Sequence, residues 1–384
     1  MNDGFPRGQT AVVGAATWGI GEAPGYDSID LAVNASVRAL AQARLTPADV
    51  DALFVCLPQD FISGLSLAEY LGIQPKITDN NRTGGSAFLT HMFWAANALA
   101  SGQCNVALIA YGSNQRSGAG KLVSAQKIPY FESLYKPVMP VSAYALATSR
   151  HMHEFGTTRE QLAEVAVSAR KWAQKNPDAF MREDLSIDDV LKARMVCDPL
   201  TVRDCCLVTD GAAAIVMTRA DRAADHSAHP AYLLGAAAAT THMNISAMAD
   251  LTVTAAAQSG PRAFAQAGYS PKDIDIVELY DAFTINTLLF LEDLGFCPKG
   301  EGGRFVEGGR IAPGGALPVN TNGGGLSCVH PGMYGLFTVV EAVEQLAGRA
   351  GARQVPGARL ALAHGNGGVL SSQVTAILGS RETL

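Results

Sequence analysis

Four short segments carry the residues that could do chemistry: three are rich in glycine, and the fourth, which has no glycine, carries a tyrosine between two acidic side chains. They are residues 80–86, 278–283, 320–335 and 364–368. The last three carry two tyrosines and two histidines, namely Tyr280, Tyr334, His330 and His364. Backbone amides freed by glycine at a helix start can face an oxyanion or an enolate, although glycine can also serve only to allow close packing. Because four such segments occur together with these titratable side chains, the sequence favours a site for acyl or carbonyl chemistry.

The elements that position these segments follow an α/β pattern, since short apolar runs end repeatedly at glycine and alternate with helical periodicity. Strands are predicted at residues 10–13, 52–57, 106–111, 205–217, 276–279 and 360–365, and helices at residues 28–43, 86–100 and 159–175. Continuous apolar runs such as residues 52–57 are typical of strands buried on both faces. The sequence therefore predicts an α/β protein.

An internal repeat indicates a tandem duplication. At an offset of 224, residues 39–51 match residues 263–275 at seven of thirteen positions, including a Pro-x-Asp-x-Asp turn. Each copy precedes a predicted strand, and each half later has a glycine-rich turn that opens a long helix. We predict an N-terminal domain over residues 1–225, with a helical loop insertion at about 114–200, and a C-terminal domain over residues 226–384.

The composition excludes several classes of protein. With 48% hydrophobic and 17% charged residues, the chain is typical of a globular protein rather than a disordered one. The basic residues are scattered and the net charge is −6, so no nucleic-acid partner is expected. Without a signal peptide or a run of about eighteen apolar residues, we expect a cytoplasmic protein with no membrane insertion. Seven cysteines without a C-x-x-C pair predict reduced thiols and no metal site.

Several of these segments resemble motifs of the thiolase superfamily. The similarity lies in the Gly-Gly…His-Pro-x-x-x-Gly pattern of residues 320–335, in the box at residues 278–283 and in residues 364–368. The sterol-carrier-protein-type branch of the family is similar at residues 150–156, 175–177 and 198–212. The resemblance covers nearly the whole chain and implies a duplicated αβαβα layered fold. It also implies acyl-CoA substrates, with coenzyme A as part of the substrate and no bound cofactor. A homodimer, or a hetero-tetramer with a partner protein, is expected, with an edge strand at residues 106–111 as the contact.

The chain departs from the family where the family carries its covalent chemistry. Family thiolases have a nucleophilic cysteine in a Cys-x-x-Gly turn, and aligning that glycine on Gly85 places Arg82 at the cysteine position. An arginine cannot accept an acyl group, and residues 57–103 contain no cysteine. The second family cysteine falls at His364, and the Asn or His of the family's box is Tyr280 here.

A thiolase-like site without its cysteine can still stabilise an acyl-CoA enolate. In a β-hydroxyacyl-CoA, a base can remove the hydroxyl proton and the carbon–carbon bond can cleave without an acyl-enzyme, which is a retro-aldol reaction. A tyrosine can be the base if neighbouring donors or cations lower its pKa. We therefore expect Tyr280 and Tyr334 to be base and acid, in an order left open, while His330 and glycine-rich amides polarise the thioester carbonyl.

This tyrosine pattern resembles the thiolase-like aldolases of bacterial steroid side-chain degradation, which implies a bulky acyl group and a small partner protein that combines a zinc ribbon and an OB-fold. Seven residues are expected to contact the substrate: Arg82, Gly85, Asp281, Asn322, Gly324, His364 and Gly367. Among them, Asp281 is expected to orient the box. Arg82 can contact a substrate carboxylate or a CoA phosphate, with a structural salt bridge as an equal alternative, and His364 carries the same reservation.

Two other functions stay open. One is an acetyl-CoA acetyltransferase that uses Cys328, or another thiol, in an unfamiliar position. A small buried side chain is the competing use of Cys328. The other is a non-catalytic acyl-CoA or lipid carrier that has kept the pocket. Acylation of a cysteine would identify the first, and tight acyl-CoA binding without turnover would identify the second.

Overall fold

The structure is a computed structural model that describes residues 4–118 and 128–384. The strands are β1 Thr10–Gly21, β2 Ala52–Cys56, β3 Ile77–Asp79, β4 Val106–Ser113, β5 Met195–Cys197, β6 Leu200–Thr201, β7 Asp210–Arg219, β8 Ala231–Thr240, β9 Ile276–Leu279, β10 Leu360–Gly367 and β11 Ser372–Gly379. The α-helices are α1 Ser28–Gln42, α2 Ser63–Leu71, α3 Ala87–Ala100, α4 Tyr130–Ser133, α5 Val141–Phe155, α6 Arg159–Ala173, α7 Ile187–Leu191, α8 Ala223–His226, α9 Ala256–Ala267, α10 Thr284–Asp293, α11 Gly302–Val306 and α12 Gly335–Leu346.

One mixed sheet of nine strands runs through the described residues in the order β3-β2-β4-β7-β1-β8-β11-β10-β9. The two halves of this order repeat the same pairing. In the first half β2 and β4 are parallel, and β7 and β1 continue the sheet antiparallel. In the second half β9 and β10 are parallel, and β11 and β8 continue it in the same way. This confirms the predicted duplicated α/β architecture.

The sequence repeat has a structural role at the start of each parallel pair. Asp51 Oδ1 accepts a hydrogen bond of 2.9 Å from the amide of Val106, the first residue of β4. At the equivalent position, Asp275 Oδ2 accepts one of 2.9 Å from the amide of Leu360, the first residue of β10. The last aspartate of the Pro-x-Asp-x-Asp turn therefore fixes where the neighbouring parallel strand begins.

The prediction that residues 106–111 form an edge strand is wrong. Residues 106–111 belong to β4, which lies between β2 and β7 and is buried along its whole length. The edge at that end of the sheet is β3, whose three residues are only partly buried or exposed. A three-residue strand without an apolar run gives no sequence signal, so the sequence does not reveal that β3 forms the edge.

The predicted insertion packs against the second half of the chain; its residues 119–127 lie outside the described part. His151 of α5 is fully buried, and its Nε2 lies 3.0 Å from Glu292 Oε1 of α10. Lys299 completes this buried network through an ion pair of 3.1 Å to Glu292. No helix within residues 4–118 or 128–384 is long and apolar enough to cross a membrane.

Candidate active site

Turns from both halves converge on one cavity of about 410 Å³. Its walls come from the turn before α3, the segment after β9, the loop before α12 and the turn between β10 and β11. Five of the predicted residues line it, namely Arg82, Gly85, Tyr280, His330 and Gly367. The other five lie behind its walls, namely Asp281, Asn322, Gly324, Tyr334 and His364. The structure brings the four segments together, but half of the predicted residues do not reach the cavity.

Tyr280 is held in the cavity wall by a close approach of the backbone. A Cβ atom on Gly85 would lie 2.0 Å from Cε2 of the Tyr280 ring, so only glycine leaves room for it. The hydroxyl of Tyr280 makes a long hydrogen bond of 3.4 Å to the Gly332 carbonyl. Burial raises the pKa of Tyr280 well above its usual value. The hydroxyl of Tyr280 therefore keeps its proton near pH 7, and the side chain lines the cavity, where it can act as a proton donor.

His330 lies against Tyr280, with ring centroids 5.5 Å apart and ring planes at 83°. Its Nε2 atom is buried and has no hydrogen-bond partner among the described residues. Burial lowers the pKa of His330 to about 4. The imidazole is therefore neutral near pH 7, and one of its nitrogens is available to a molecule in the cavity.

Tyr111 holds the loop that carries His330. Its hydroxyl donates to the Pro331 carbonyl and accepts a hydrogen bond of 3.1 Å from the Met333 amide. The hydroxyl thus bridges the two residues that flank Gly332, which accepts the bond from Tyr280. Sequence reasoning missed this residue, and its only signal was a tyrosine inside the apolar run of β4.

The Tyr334 ring contacts the Tyr280 ring, with centroids 5.8 Å apart and planes at 84°, but Tyr334 does not line the cavity. Its hydroxyl donates to Asn322 Oδ1 over 2.9 Å, and the side chain is fully buried behind the cavity wall. Burial, followed by the charges of Asp281 and Glu278, raises the pKa of Tyr334 well above its usual value. The condition set for a tyrosine base, a pKa lowered by donors or cations, is met by neither tyrosine.

The glycine-rich amides of residues 323–326 do not face the cavity. The Gly325 amide donates to Asp281 Oδ1 over 2.6 Å, and the Gly324 amide donates to Asn322 Oδ1 over 2.7 Å. Burial raises the pKa of Asp281 to about 7. The expectation that Asp281, Asn322 and the glycine-rich amides contact the substrate is therefore corrected. The side chains of Asp281 and Asn322 instead accept hydrogen bonds from these amides and fix the turn. Through these bonds Asp281 joins the box at residues 278–283 to the glycine-rich turn.

Arg82 is bound by backbone rather than by an acid. Its guanidinium donates to the carbonyls of Leu57, Pro58 and Asp60 over 3.3, 2.8 and 2.9 Å. Neither of the two alternatives, an anion contact or a salt bridge, describes these bonds, which tie the turn before α3 to the loop after β2. Gly367 supports the same turn, because its Cβ would lie 1.9 Å from the Thr83 carbonyl oxygen.

His364 lies within β10 and does not line the cavity. Its two ring nitrogens lie 3.0 Å from Thr375 Oγ1 and 2.9 Å from Gln373 Oε1, and burial lowers its pKa to about 3. Gln373 then donates to Asn366, and Asn366 donates to the Tyr144 hydroxyl. The substrate contact expected of His364 is thus replaced by a hydrogen-bond chain that reaches the cavity at Asn366 and Tyr144.

The thiols of the cavity differ from the one expected. Cys56, at the end of β2, and Cys206 both line the cavity, whereas Cys328 does not. The Cys328 thiol instead accepts a hydrogen bond of 3.5 Å from Asn176, which corrects the proposal that it is a nucleophile. Burial raises the pKa of Cys56 to about 11 and that of Cys206 further. Both are protonated thiols near pH 7.

The cavity has an apolar wall, formed by Met139, Met243, Phe283, Met333 and Val369. Methionine side chains adapt to irregular shapes, so this wall can accept a bulky apolar group. No group of three or more His, Cys, Asp or Glu side chains within residues 4–118 and 128–384 is arranged to hold a metal ion.

Comparisons with known proteins agree with this architecture. Residues 237–380 match the family described as thiolase C-terminal domain-like. The chain is 34% identical to an acetyl-CoA acetyltransferase of Methanothermobacter thermautotrophicus over 93% of this chain and 96% of that protein. It is 33% identical to a 17-hydroxy-3-oxo-4-pregnene-20-carboxyl-CoA lyase of Mycobacterium tuberculosis over 89% of this chain and 92% of that protein.

A solved structure described as an Ltp2–ChsH2(DUF35) aldolase superposes with a TM-score of 0.87 at 31% identity. The match covers 97% of this chain and 98% of that one. Each of these matches covers nearly the full length of the relative as well as nearly all of this chain, and the duplicated fold superposes on the solved structure. The chain therefore belongs to the thiolase superfamily, in its sterol-carrier-protein-type branch.

Proposed function

We propose that this chain is a CoA-thioester lyase that cleaves the carbon–carbon bond of a β-hydroxyacyl-CoA by a retro-aldol reaction. One observation carries the proposal: a neutral histidine with a free nitrogen and a protonated tyrosine face each other in a cavity whose thiols are protonated. Such a site suits proton transfer and not nucleophilic attack. Relatives named as a pregnene-carboxyl-CoA lyase and an aldolase support it.

In the proposed reaction, His330 Nε2 accepts the β-hydroxyl proton. The Cα–Cβ bond then breaks, its electron pair remains on Cα as a thioester enolate, and Cβ leaves as a ketone or aldehyde. Tyr280 gives its proton to Cα and completes the acyl-CoA product. Transfer of the proton from His330 to Tyr280, whose rings are in contact, restores both groups. Burial keeps Tyr280 protonated by raising its pKa and keeps His330 unprotonated by lowering its pKa, so before the reaction Tyr280 holds the proton to be given and His330 can accept one. We therefore assign Tyr280 as the acid and His330 as the base.

Conservative substitutions at these two residues test the assignment. The substrate is 17-hydroxy-3-oxo-4-pregnene-20-carboxyl-CoA, the compound named for one relative, and release of the ketone is measured. Tyr280→Phe and His330→Gln should each lower kcat by about 10²–10⁴-fold, the usual contribution of general acid–base catalysis. Tyr334→Phe is the matched control, because its hydroxyl lies behind the wall. Wild-type kcat in both cavity variants would contradict the assignment.

A second candidate function is acyl transfer through Cys56. It is favoured by the position of this thiol in the cavity and by the relative named as an acetyltransferase. With a pKa of about 11, roughly one Cys56 in ten thousand is a thiolate at pH 7. Under this alternative, Cys56→Ser abolishes turnover and the wild-type chain gains an acyl group in intact-mass spectra. Under the lyase proposal, Cys56→Ser keeps most of the activity and no adduct forms.

We also propose that the chain forms a homodimer across β3. The outer side of β3 has no strand neighbour among the described residues, and the adjacent α2 region exposes Phe61, Ile62 and Leu65 by 82%, 54% and 61%. An open strand edge beside apolar side chains is a natural pairing surface. Leu65→Asp should yield a monomer by light scattering, whereas Leu146→Asp, an equally simple change at another exposed leucine, should not.

A partner protein completes the proposal. One structural neighbour is described together with ChsH2(DUF35), and the expected partner combines a zinc ribbon with an OB-fold. Affinity purification from the native lysate, followed by assay with and without the co-purified chain, tests this. A small zinc-containing protein that raises kcat supports the proposal, and full activity of the isolated chain argues against it.

A further inference from the structure

A second cavity, of about 210 Å³, lies on the far side of Cys206, which lines both this cavity and the larger one. We call it the arginine cavity. Its polar lining consists of Arg170, Arg203, Cys205, Cys206 and Ser327, and the other lining side chains are apolar. The lining includes two cations and no carboxylate. The proposed reaction uses neither cation.

Arg170 is an unusually buried cation with one free end. Arg170 as a whole is only 3% exposed. Nε donates to Ser327 Oγ over 3.0 Å, and Nη1 donates to the Glu183 carbonyl over 2.9 Å. Nη2 has no hydrogen-bond partner in the described part of the chain. Two of the three nitrogens are thus fixed, and these bonds orient the third for a ligand.

Arg203 adds a second positive charge to the same cavity. It is half-buried, and its guanidinium makes no hydrogen bond and no ion pair with any described residue. Burial and the charge of Arg203 lower the pKa of Arg170, with a partial offset from Glu183. The Glu183 side chain is exposed and does not line the cavity. Because arginine stays charged in proteins, two cations face this space without a buried counter-charge.

We propose that the arginine cavity binds an oxyanion, a carboxylate or a phosphate, through Arg170 and Arg203. A buried charge without a partner is costly, and guanidinium groups bind carboxylate and phosphate oxygens through paired hydrogen bonds. The oxyanion has two sources. It is either a free ion or a carboxylate at the distal end of an acyl chain held in the larger cavity, since Cys206 lines both cavities. The second source rests on the proposed function, because it makes the ligand part of the CoA thioester.

Binding measurements on the whole chain test the proposal without requiring turnover. Calorimetry compares inorganic phosphate, a series of ω-carboxyacyl-CoA thioesters of four to ten acyl carbons, and the uncharged acyl-CoA thioesters of equal length. Arg203→Gln is the variant, since this side chain supports no described hydrogen bond. Arg222→Gln removes the same charge at an exposed position and is the control.

Wild-type protein should bind at least one ω-carboxyacyl-CoA about tenfold more tightly than its uncharged counterpart, the effect of one charge-assisted hydrogen bond. Arg203→Gln should remove this preference, and Arg222→Gln should keep it. Phosphate binding that is lost in Arg203→Gln, without any preference among the thioesters, identifies a free ion as the ligand. If neither phosphate nor any thioester responds to Arg203→Gln, the proposal is wrong. The measurement is independent of carbon–carbon cleavage, so failure of the lyase assay does not decide it.

Discussion

Gly85→Ala perturbs the proposed acid without altering its chemistry. The added methyl group would lie 2.0 Å from Cε2 and 2.8 Å from Cδ2 of the Tyr280 ring. An ordinary contact between carbon atoms is about 3.5–4.0 Å, so the ring must move by roughly 1.5 Å or more. Overpacking of this kind costs about 1–3 kcal/mol of stability. A displacement of about 1 Å at a reacting group can cost about 10²-fold in rate.

We therefore expect Gly85→Ala to fold, to unfold at lower denaturant concentration and to lose about 100-fold in kcat. Ketone release from the pregnene-carboxyl-CoA thioester used in the lyase assay gives kcat, and urea titration gives the free energy of unfolding. In a Tyr280→Ala background the ring is absent, so the added methyl group should cost much less stability. The new methyl group also lies 2.9 Å from the Asn366 carbonyl oxygen, so part of the cost persists. Wild-type kcat in Gly85→Ala would refute the placement of Tyr280.

Three further results follow from the structure. Tyr111→Phe removes the bridge between Pro331 and Met333 and should cost about 1–3 kcal/mol in urea titration, with a lower kcat because the His330 loop loosens; unchanged stability would contradict the bridge. Since burial lowers the pKa of His330 to about 4, kcat/KM should be insensitive to this residue from pH 5 to 8 and fall only near pH 4, whereas a loss centred near pH 6.5 would contradict a buried neutral base. Burial raises the pKa of Asp281 from 3.8 to about 7, so its contribution to stability is present below pH 4 and is lost as the pH rises to 7; Asp281→Asn should flatten this part of the stability profile, and an unchanged slope would exclude Asp281 as its source.

The fold was predictable where a pattern repeats. The 224-residue offset pairs Asp51 with Asp275, and both aspartates start a parallel neighbour strand. The edge strand β3 was not predictable, because it is three residues long and lacks an apolar run. Its neighbour β4 has a strong apolar run because it is central and buried on both faces.

The site was predictable at the level of segments more than of side chains. Tyr280 and His330 both line the cavity, as expected of the segment after β9 and the loop before α12. The spacing of residues in the sequence could not show that the side chains of Asp281 and Asn322 accept hydrogen bonds from the amides of the glycine-rich turn. Nor could it show that Cys56 reaches the cavity from the end of β2, since that contact depends on how distant segments pack.

The central claim is that the carbon–carbon bond is cleaved without an acyl-enzyme. A single-turnover reaction of the β-hydroxyacyl-CoA uses excess enzyme, with the proposed partner added and free CoA absent. Ketone release is measured while intact-mass spectra follow the protein. The account predicts one ketone and one shortened acyl-CoA per substrate, with the protein mass unchanged at every time point. An acyl adduct on Cys56, or cleavage that requires free CoA, would contradict it.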